Sequence, residues 1–494
     1  MPLISQFVLG AGSDGQPVGQ PLRLANRHGL IAGATGTGKT VTLQRLIETF
    51  SAAGVAVFAA DVKGDLCGLG AAGAPQGKVA ERIASMAWLQ HRPQAYPLCL
   101  WDVHGQSGHP LRTTLSEMGP LLLGALLELT DSQQAALYAA FKVADREGLL
   151  LLDLKDLKAL LGHLKDNPQA LGEDSALFTN TSAQALLRRL ASLEQQGAEA
   201  LFGEPALQLE DLLHPDRDGR GRVHLLDASR LVHEAPKVYA TFLLWLLAEL
   251  FEQLPERGDA DKPVLALFFD EAHLLFQGTP KALQERLEQV VRLIRSKGVG
   301  VYFVTQSPSD LPDDVLAQLG LRIQHGLRAF TAKEQKALRA VADGFRPNPA
   351  FDSLSVLTEL GIGEALVGTL EEKGTPAMVQ RVAIAPPQSR IGPLNESERA
   401  ALVRQSPLAG RYDKPVDRES AYELLTARAA QASAEAPAQP SGRQKAAAPD
   451  QGLGQMAGEL LGGAMKSALR QAANQLGRQL VRGLMGSLLG GKRR

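Results

Sequence analysis

The chain has 494 residues, of which 45% are hydrophobic and 21% are charged. Set against about 150 residues for a typical domain, that length predicts more than one structural unit, and the composition excludes a disordered chain, a collagen-like fibre and a disulfide-stapled miniprotein. The two cysteines, Cys67 and Cys99, lack the spacing of metal ligands and favour a reducing compartment. No segment has the pattern of a signal peptide or the length of a membrane-spanning helix, so we predict a cytoplasmic protein.

Short apolar runs alternate with helical patterns along most of the chain. The runs that read as buried strands are residues 29–32, 55–59, 98–101, 223–226, 264–269 and 301–304. Their apolarity is continuous rather than alternating, which is typical of parallel strands covered by helices on both faces. Several of these runs lead into an acid, namely Asp61, Asp102, Asp227 and Asp270. We therefore predict an α/β fold with a mostly parallel sheet and a ligand at the carboxyl ends of its strands.

The turn after the first apolar run has the composition of a phosphate-binding loop. It fits the pattern G-x-x-x-x-G-K-[ST] at every position and consists of Gly33, Ala34, Thr35, Gly36, Thr37, Gly38, Lys39 and Thr40. Glycines let consecutive backbone N–H groups approach phosphates, and the following helix adds the partial positive charge of its N-terminus. The alternative is a glycine-rich turn that matches by chance. We predict that the loop binds ATP, with Lys39 on the β- and γ-phosphates and Thr40 on Mg²⁺.

A pair of acids and a glutamine follow two later strands. We predict that Asp270 holds Mg²⁺ and that Glu271 orients and deprotonates the attacking water. Gln306, after the next strand, is placed to sense the γ-phosphate or to position that water. The alternatives are an acid pair that caps the next helix and an ordinary polar strand end. ATP is favoured over GTP because the sequence contains no Asn-Lys-x-Asp motif for guanine.

Composition divides the chain into five segments. Residues 1–114 and 216–428 are predicted to form the two parts of the α/β core, residues 115–215 a helical insertion, residues 429–450 a flexible linker and residues 451–494 a tail. Residues 441–494 carry nine Lys and Arg against two Asp and Glu, whereas the rest of the chain carries 43 against 51. The tail therefore reads as a basic amphipathic helix, and its partner is a protein, a nucleic acid or an anionic membrane surface.

Three linked elements carry a resemblance to a known family. Residues 33–40, the run Asp270-Glu271-Ala272-His273 and the run Thr305-Gln306-Ser307-Pro308 resemble those of the HerA/FtsK superfamily of RecA-like hexameric motor ATPases. Residues 61–66, Asp-Val-Lys-Gly-Asp-Leu, resemble a signature of its YjgR-like branch, of the HerA-like helicase C-terminal type. The resemblance implies a homo-oligomeric ring, a hexamer, with ATP and Mg²⁺ bound between subunits.

A ring motor needs a cation that crosses the subunit joint to stabilise charge on the transferring phosphoryl group. Arg322 and Arg328 are the candidates, on or near a short strand predicted over residues 321–328. Their even separation predicts that both project to the same side of that strand. Arg322 lies where relatives place an arginine before this strand, so it is slightly favoured. The alternative is a pair of surface arginines without a catalytic role.

Two functions of different classes fit these features. The first is an ATP-hydrolysing ring motor that acts on DNA as a translocase or helicase. Basic residues of the helix predicted over 281–297 would then grip DNA phosphates, the alternative being a solvated basic face. The second is a regulatory or protein-remodelling ATPase that does not act on DNA, which the net acidic charge outside the tail favours.

Overall fold

The computed structural model describes residues 5–435, apart from residues 259, 278 and 280. The chain divides into two compact units, Met1–Ala429 and Ala430–Arg494. The predicted basic tail and most of the predicted linker, residues 436–494, lie outside the described residues. The domain boundaries proposed from composition therefore stay predictions.

The strands of the described residues form one twelve-stranded mixed sheet. They are β1 (Gln6–Gly12), β2 (Pro17–Pro21), β3 (Gly29–Ala32), β4 (Ala56–Asp61), β5 (Leu98–Asp102), β6 (His109–Pro110), β7 (Val223–Asp227), β8 (Leu265–Phe269), β9 (Val299–Thr305), β10 (Leu321–His325), β11 (Glu364–Gly368) and β12 (Gln380–Ile384). The order across the sheet is β2-β1-β12-β11-β10-β3-β9-β8-β4-β7-β5-β6. Neighbours from β10 to β6 are parallel, and those from β2 to β10 are antiparallel. The predicted α/β fold with a mostly parallel sheet is confirmed.

Helices connect the parallel strands and cover both faces of the sheet. The α-helices of the described residues are α1 (Lys39–Ala52), α2 (Lys78–Ser85), α3 (Leu115–Leu126), α4 (Asp131–Glu147), α5 (Leu154–Asp166), α6 (Asn180–Gln195), α7 (Leu209–Leu213), α8 (Ser229–Glu234), α9 (Pro236–Gln253), α10 (Lys281–Leu293), α11 (Asp313–Leu316), α12 (Ala332–Asp343), α13 (Ser353–Glu359), α14 (Glu396–Gln405) and α15 (Ala421–Glu435). Helices α3 to α7 occupy the interval between β6 and β7, and α15 extends past residue 429, where composition predicts a linker. Among these helices none combines the length and the apolarity that crossing a bilayer requires.

Strand β8 shows why continuous apolarity marks a central strand. Its side chains point alternately to the two faces of the sheet. Leu267 and Phe269 belong to the apolar cluster that contains α9, whereas Ala266 and Phe268 belong to the cluster on the other face, where Phe268 lies against Phe50 of α1. Full burial of each large side chain stabilises the fold by about 1.5–3 kcal/mol relative to exposure. The carboxyl ends of the central strands are thereby fixed along one edge.

Candidate active site

The loop between β3 and α1 wraps around its own lysine. Lys39 begins α1, and its Nζ donates to the carbonyls of Gly33 and Ala34 at 2.6 and 3.1 Å. Gly38 precedes the helix with a φ of 111°, a conformation that side chains with a Cβ rarely adopt. A Cβ on Gly33 would lie 2.5 Å from the Cβ of His325. Only glycine fits at these two positions, so the loop sequence is dictated by its shape.

The tip of the loop is open to solvent, and the lysine behind it is not. Thr35 and Gly36 are exposed, Thr40 is half-buried and Lys39 is buried. Burial lowers the pKa of Lys39 and the charge on Lys63 lowers it further, whereas Glu271 and Asp270 act in the opposite direction. The interaction between two charges weakens as the distance between them grows. The structure thus brings the predicted phosphate loop and the predicted acid pair together.

Sheet order explains how the loop and the acids meet. Strand β9 lies between β3 and β8, and all three run in the same direction. The loop after β3, Gln306 after β9 and the acid pair after β8 therefore emerge at one edge. The backbone N–H of Gly33 donates to the carbonyl of Gln306 at 3.2 Å, while the Gln306 side chain is exposed.

The acid pair is buried, and its second member is strained. Asp270 is 5% exposed, and burial raises its pKa to about 6 in spite of the nearby Lys63 ammonium. Glu271 is 8% exposed and has a φ of 46°, in the left-handed region that non-glycine residues enter at a cost of about 1 kcal/mol or more. Its Oε1 lies 2.7 Å from the Nζ of Lys63. Its Oε2 lies 3.4 Å from Nδ1 of His273 and has no hydrogen-bond partner among the described residues.

Lys63 also lies at this site, and the motifs in the sequence predict no role for it. Lys63 lies in the loop after β4, the strand on the other side of β8. Its Nζ contacts Glu271 and lies 3.8 Å from Oδ2 of Asp270. Burial lowers the pKa of Lys63, but Asp270 and Glu271 outweigh burial, and the pKa is raised above its ordinary value. This contact joins residues far apart in sequence, so only the order of strands could have revealed it.

The other acids at strand ends hold their own loops. Asp61 accepts backbone N–H groups of Lys63, Gly64 and Leu66. Asp102 likewise accepts N–H groups of the three residues His104, Gln106 and Ser107. Asp227 pairs with Arg399 at 3.0 Å and accepts from Ser229. Carboxylates fixed by their own loops are poor ligands, so Asp270 is the strand-end acid best placed for a metal.

The two candidate arginines do not share a strand, and that prediction is wrong. Strand β10 ends at His325, because the chain then turns toward the phosphate loop and the carbonyl of Gly326 accepts from the N–H of Ala34 at 3.1 Å. Arg328 lies beyond this turn and is exposed. Arg322 is near the opposite end of β10, because it pairs with Leu30 near the start of β3. The two arginines therefore lie toward opposite edges of the sheet.

Arg322 lines a basic cavity at the amino ends of the parallel strands. Its guanidinium donates to the carbonyls of Leu316, Leu319 and Gly344. Burial lowers its pKa. The cavity has a volume of about 350 Å³, and its basic lining residues are Arg27, His28, Arg292, Arg295, Arg322 and Arg346. Arg292 and Arg295 are two of the basic residues in the segment 281–297, where DNA contacts were predicted, and they line this cavity with Arg322.

These residues can be set against known proteins. The family described as "Helicase HerA-like C-terminal" matches residues 6–494. The chain belongs to this family. The match includes the sheet, the phosphate loop and the acid pair. The chain therefore has the RecA-like fold of a P-loop ATPase.

Solved structures of TrwB share the fold at low sequence identity. The bacterial conjugative coupling protein TrwB in its unbound form gives a TM-score of 0.52 at 15% identity, over 78% of this chain and 90% of that one. The plasmid coupling protein TrwB in complex with ADP and Mg²⁺ gives 0.51 at 16% identity, over 76% and 89%. VirB4 of Thermoanaerobacter pseudethanolicus gives 0.49 at 18% identity, over 77% and 96%. No curated protein sequence matches the chain.

The site of this HerA-like chain fits a magnesium-bound nucleotide. Mg²⁺ prefers oxygen ligands and shares them between one or two protein groups and the phosphates. The half-buried Thr40 hydroxyl and the buried Asp270 carboxylate offer such oxygens at one edge of the sheet. One carboxylate oxygen of Glu271, Oε2, has no hydrogen-bond partner among the described residues. When bound, Mg²⁺ would neutralise negative charge on the phosphate oxygens.

A buried histidine lies beneath the phosphate loop. His325 is fully buried, with its Nε2 2.9 Å from the Thr42 hydroxyl of α1 and its Nδ1 2.8 Å from the Glu364 carbonyl. Burial lowers the pKa of His325 to about 4, against the effect of the Glu364 carbonyl, which raises it. The imidazole is therefore neutral at pH 7. It ties β10 to the helix that carries Lys39.

The neutral His325 predicts a specific loss of stability in acid. Because its pKa is lower in the folded than in the unfolded chain, its contribution is fully present above pH 6.5 and is lost as the pH falls through 4. Between pH 6.5 and pH 4 the unfolding free energy of the parent should fall by about 3 kcal/mol more than that of His325→Gln. Urea denaturation at a series of pH values measures this. Parallel pH profiles of the parent and the variant would contradict it.

Proposed function

We propose that this chain is an ATP-hydrolysing ring motor that acts on DNA as a translocase or helicase. The observation that carries the hydrolytic part is the convergence of the phosphate loop, Gln306 and the acid pair at one edge of the sheet. Lys39 and the loop amides hold the phosphates, while Thr40 and Asp270 supply metal ligands. Glu271 accepts the proton of the attacking water, and Gln306 positions that water or senses the γ-phosphate.

A ring is part of the proposal. Copies that pack head to tail can close into a ring, with one edge of each copy against a different edge of the next. Arg322 and its basic cavity lie at the edge remote from the chain's own phosphate loop. An edge of that charge suits the phosphates bound by a neighbouring copy, with Arg322 as the cation supplied across the joint. Arg328, on the other edge, is the weaker candidate. The expected assembly is a homohexamer.

Action on DNA rests on the similarity to TrwB, a plasmid coupling protein, and on membership of a family described as helicases. A regulatory or protein-remodelling ATPase remains the second candidate, because residues 1–440 carry 43 Lys and Arg against 51 Asp and Glu. Electrostatic attraction to DNA must then come from local basic surfaces. A cytoplasmic location is also proposed, since Cys67 and Cys99 are both buried and unpaired.

Stimulation of ATP hydrolysis by DNA separates the two candidates. For a DNA motor, duplex DNA should raise the rate of ATP hydrolysis about tenfold, the size of a typical coupling between two sites. The stimulation should weaken as salt is raised, since DNA contacts release counterions. Steady-state phosphate release with and without duplex DNA measures both effects. Glu271→Gln protein purified by the same procedure gives the background rate from contaminating ATPases. A rate that is indifferent to DNA would favour the protein-remodelling function.

A further inference from the structure

A lysine from outside the phosphate loop holds the proposed catalytic base. We propose that Lys63 is a restraint on Glu271, which it holds in the nucleotide-free protein and releases when a magnesium-bound triphosphate enters. The inference rests on the proposed ATPase function and adds a residue that positions the base. Its starting observation is the 2.7 Å contact between Lys63 Nζ and Glu271 Oε1.

The loop that carries Lys63 is anchored on both sides. The buried Asp61 carboxylate accepts three backbone N–H groups of this loop, including that of Lys63 itself. Gly64 takes a φ of 75°, and its carbonyl accepts from the Arg399 guanidinium at 3.1 Å. Arg399 is in turn paired with Asp227 at 3.0 Å. A lysine on a fixed backbone loses less conformational entropy when its side chain is held, so this ion pair is more than a chance surface contact.

Glu271 has an unfavourable conformation that surrounding contacts must maintain. Its backbone lies in the left-handed region, and its Oε2 has no hydrogen-bond partner among the described residues. Strained residues of this kind persist where surrounding contacts hold them, and they cluster at switch regions. While Lys63 occupies Oε1, that oxygen is engaged with a cation and is a poorer acceptor for the proton of a water molecule. We therefore expect hydrolysis to be fastest once Lys63 has moved away from Oε1.

Filling the site supplies the reason for Lys63 to move. Its Nζ is 3.8 Å from Oδ2 of Asp270, the proposed metal ligand. A divalent cation at Asp270 would repel the Lys63 ammonium, because like charges at such distances destabilise each other in a partly buried site. Lys63 is 41% exposed, so its side chain can swing into solvent without breaking the loop. Binding of the metal at Asp270 therefore releases the restraint, and the nucleotide acts on Lys63 because it brings the metal.

If Lys63 instead contacted the γ-phosphate directly, its effect on the affinity for magnesium-bound ATP would have the opposite sign. A lysine that must be displaced opposes the binding of magnesium-bound ATP, whereas a lysine that grips phosphate favours it. The discriminating quantity is the ratio of the dissociation constant in EDTA to that in Mg²⁺. Dividing one by the other removes any change that is common to both constants, and the comparison with Glu271→Gln protein removes the effect of losing a positive charge near the nucleotide.

The test is Lys63→Met, which keeps the side-chain length and removes the charge. A fluorescent methylanthraniloyl-ATP is titrated into the full-length protein in Mg²⁺ and in EDTA. We expect the ratio to rise about fivefold, as for the loss of one partly exposed ion pair. Lys158→Met is the matched control, because Lys158 of α5 also pairs with a glutamate, Glu194 of α6, and is 30% exposed. It should leave the ratio unchanged.

A second background tests whether Lys63 acts through Glu271. In Glu271→Gln protein the partner charge is already absent, so Lys63→Met should change the ratio much less than in the parent. An unchanged or lowered ratio in the parent background, or an equal change in both backgrounds, would overturn the restraint and leave the ATPase function intact. Failure of the parent protein to bind the analogue at all would overturn both proposals.

Discussion

Replacing Lys39 with alanine is expected to weaken the binding of magnesium-bound ATP about 100-fold, the effect of losing charge-assisted hydrogen bonds from one ammonium. In the structure this ammonium rests on the carbonyls of Gly33 and Ala34. Those carbonyls belong to the loop that would bind the phosphates, so the Lys39 ammonium already lies next to the expected phosphate site. Titration of the fluorescent analogue measures the loss.

Lys262→Ala is the matched control for that experiment. Lys262 also donates through Nζ to two backbone carbonyls, those of Ala53 and Gly54, at 2.8 and 3.1 Å. Its removal should leave nucleotide binding unchanged. Unaltered binding by Lys39→Ala protein, or equal losses in the two variants, would show that the loop after β3 does not hold the phosphates.

Glu271→Gln is expected to bind ATP with an affinity close to that of the parent and to hydrolyse it about a thousandfold more slowly, the usual loss on removing a general base. The amide keeps the shape of the side chain but cannot accept the proton of the attacking water. Single-turnover hydrolysis and analogue titration on the same preparation separate catalysis from binding. Turnover at the parental rate would contradict the role assigned to Glu271.

Asp102→Asn controls for the loss of a buried acid at a strand end. Asp102 is 8% exposed, and its carboxylate accepts backbone N–H groups of its own loop. This substitution should lower stability and leave the rate of hydrolysis per folded molecule unchanged. A thousandfold loss in this variant as well would mean that the Glu271 effect reports damage to the sheet edge rather than loss of a base.

The parallel half of the sheet could be predicted, and the antiparallel half could not. Strands such as β8 are buried on both faces, so their sequence is apolar throughout and is legible without a partner. Strand β2 reads Pro-Val-Gly-Gln-Pro, and strand β12 carries Gln380 and Arg381. Their pairing is set by contacts remote in sequence, such as Gly10 opposite Ile384. Local patterns carry little information about such strands.

The site divides along the same line. The phosphate loop could be read directly, because its glycines are required by the backbone at Gly33 and Gly38. Lys63 could not, because its contact with Glu271 depends on β4 and β8 being neighbours. The strand predicted around Arg322 was too long, because no local sequence pattern indicates that the chain turns at Gly326 toward Ala34.

We expect the loop closed by Lys39 and the acids after β8 to bind the same magnesium-bound triphosphate. A cryo-electron microscopy or crystal structure with Mg²⁺ and a non-hydrolysable ATP analogue tests it most directly. In that structure we expect Thr40 and Asp270 to flank the metal and Lys39 to have left the loop carbonyls for the phosphates. A triphosphate bound elsewhere, or a metal out of reach of Asp270, would contradict it.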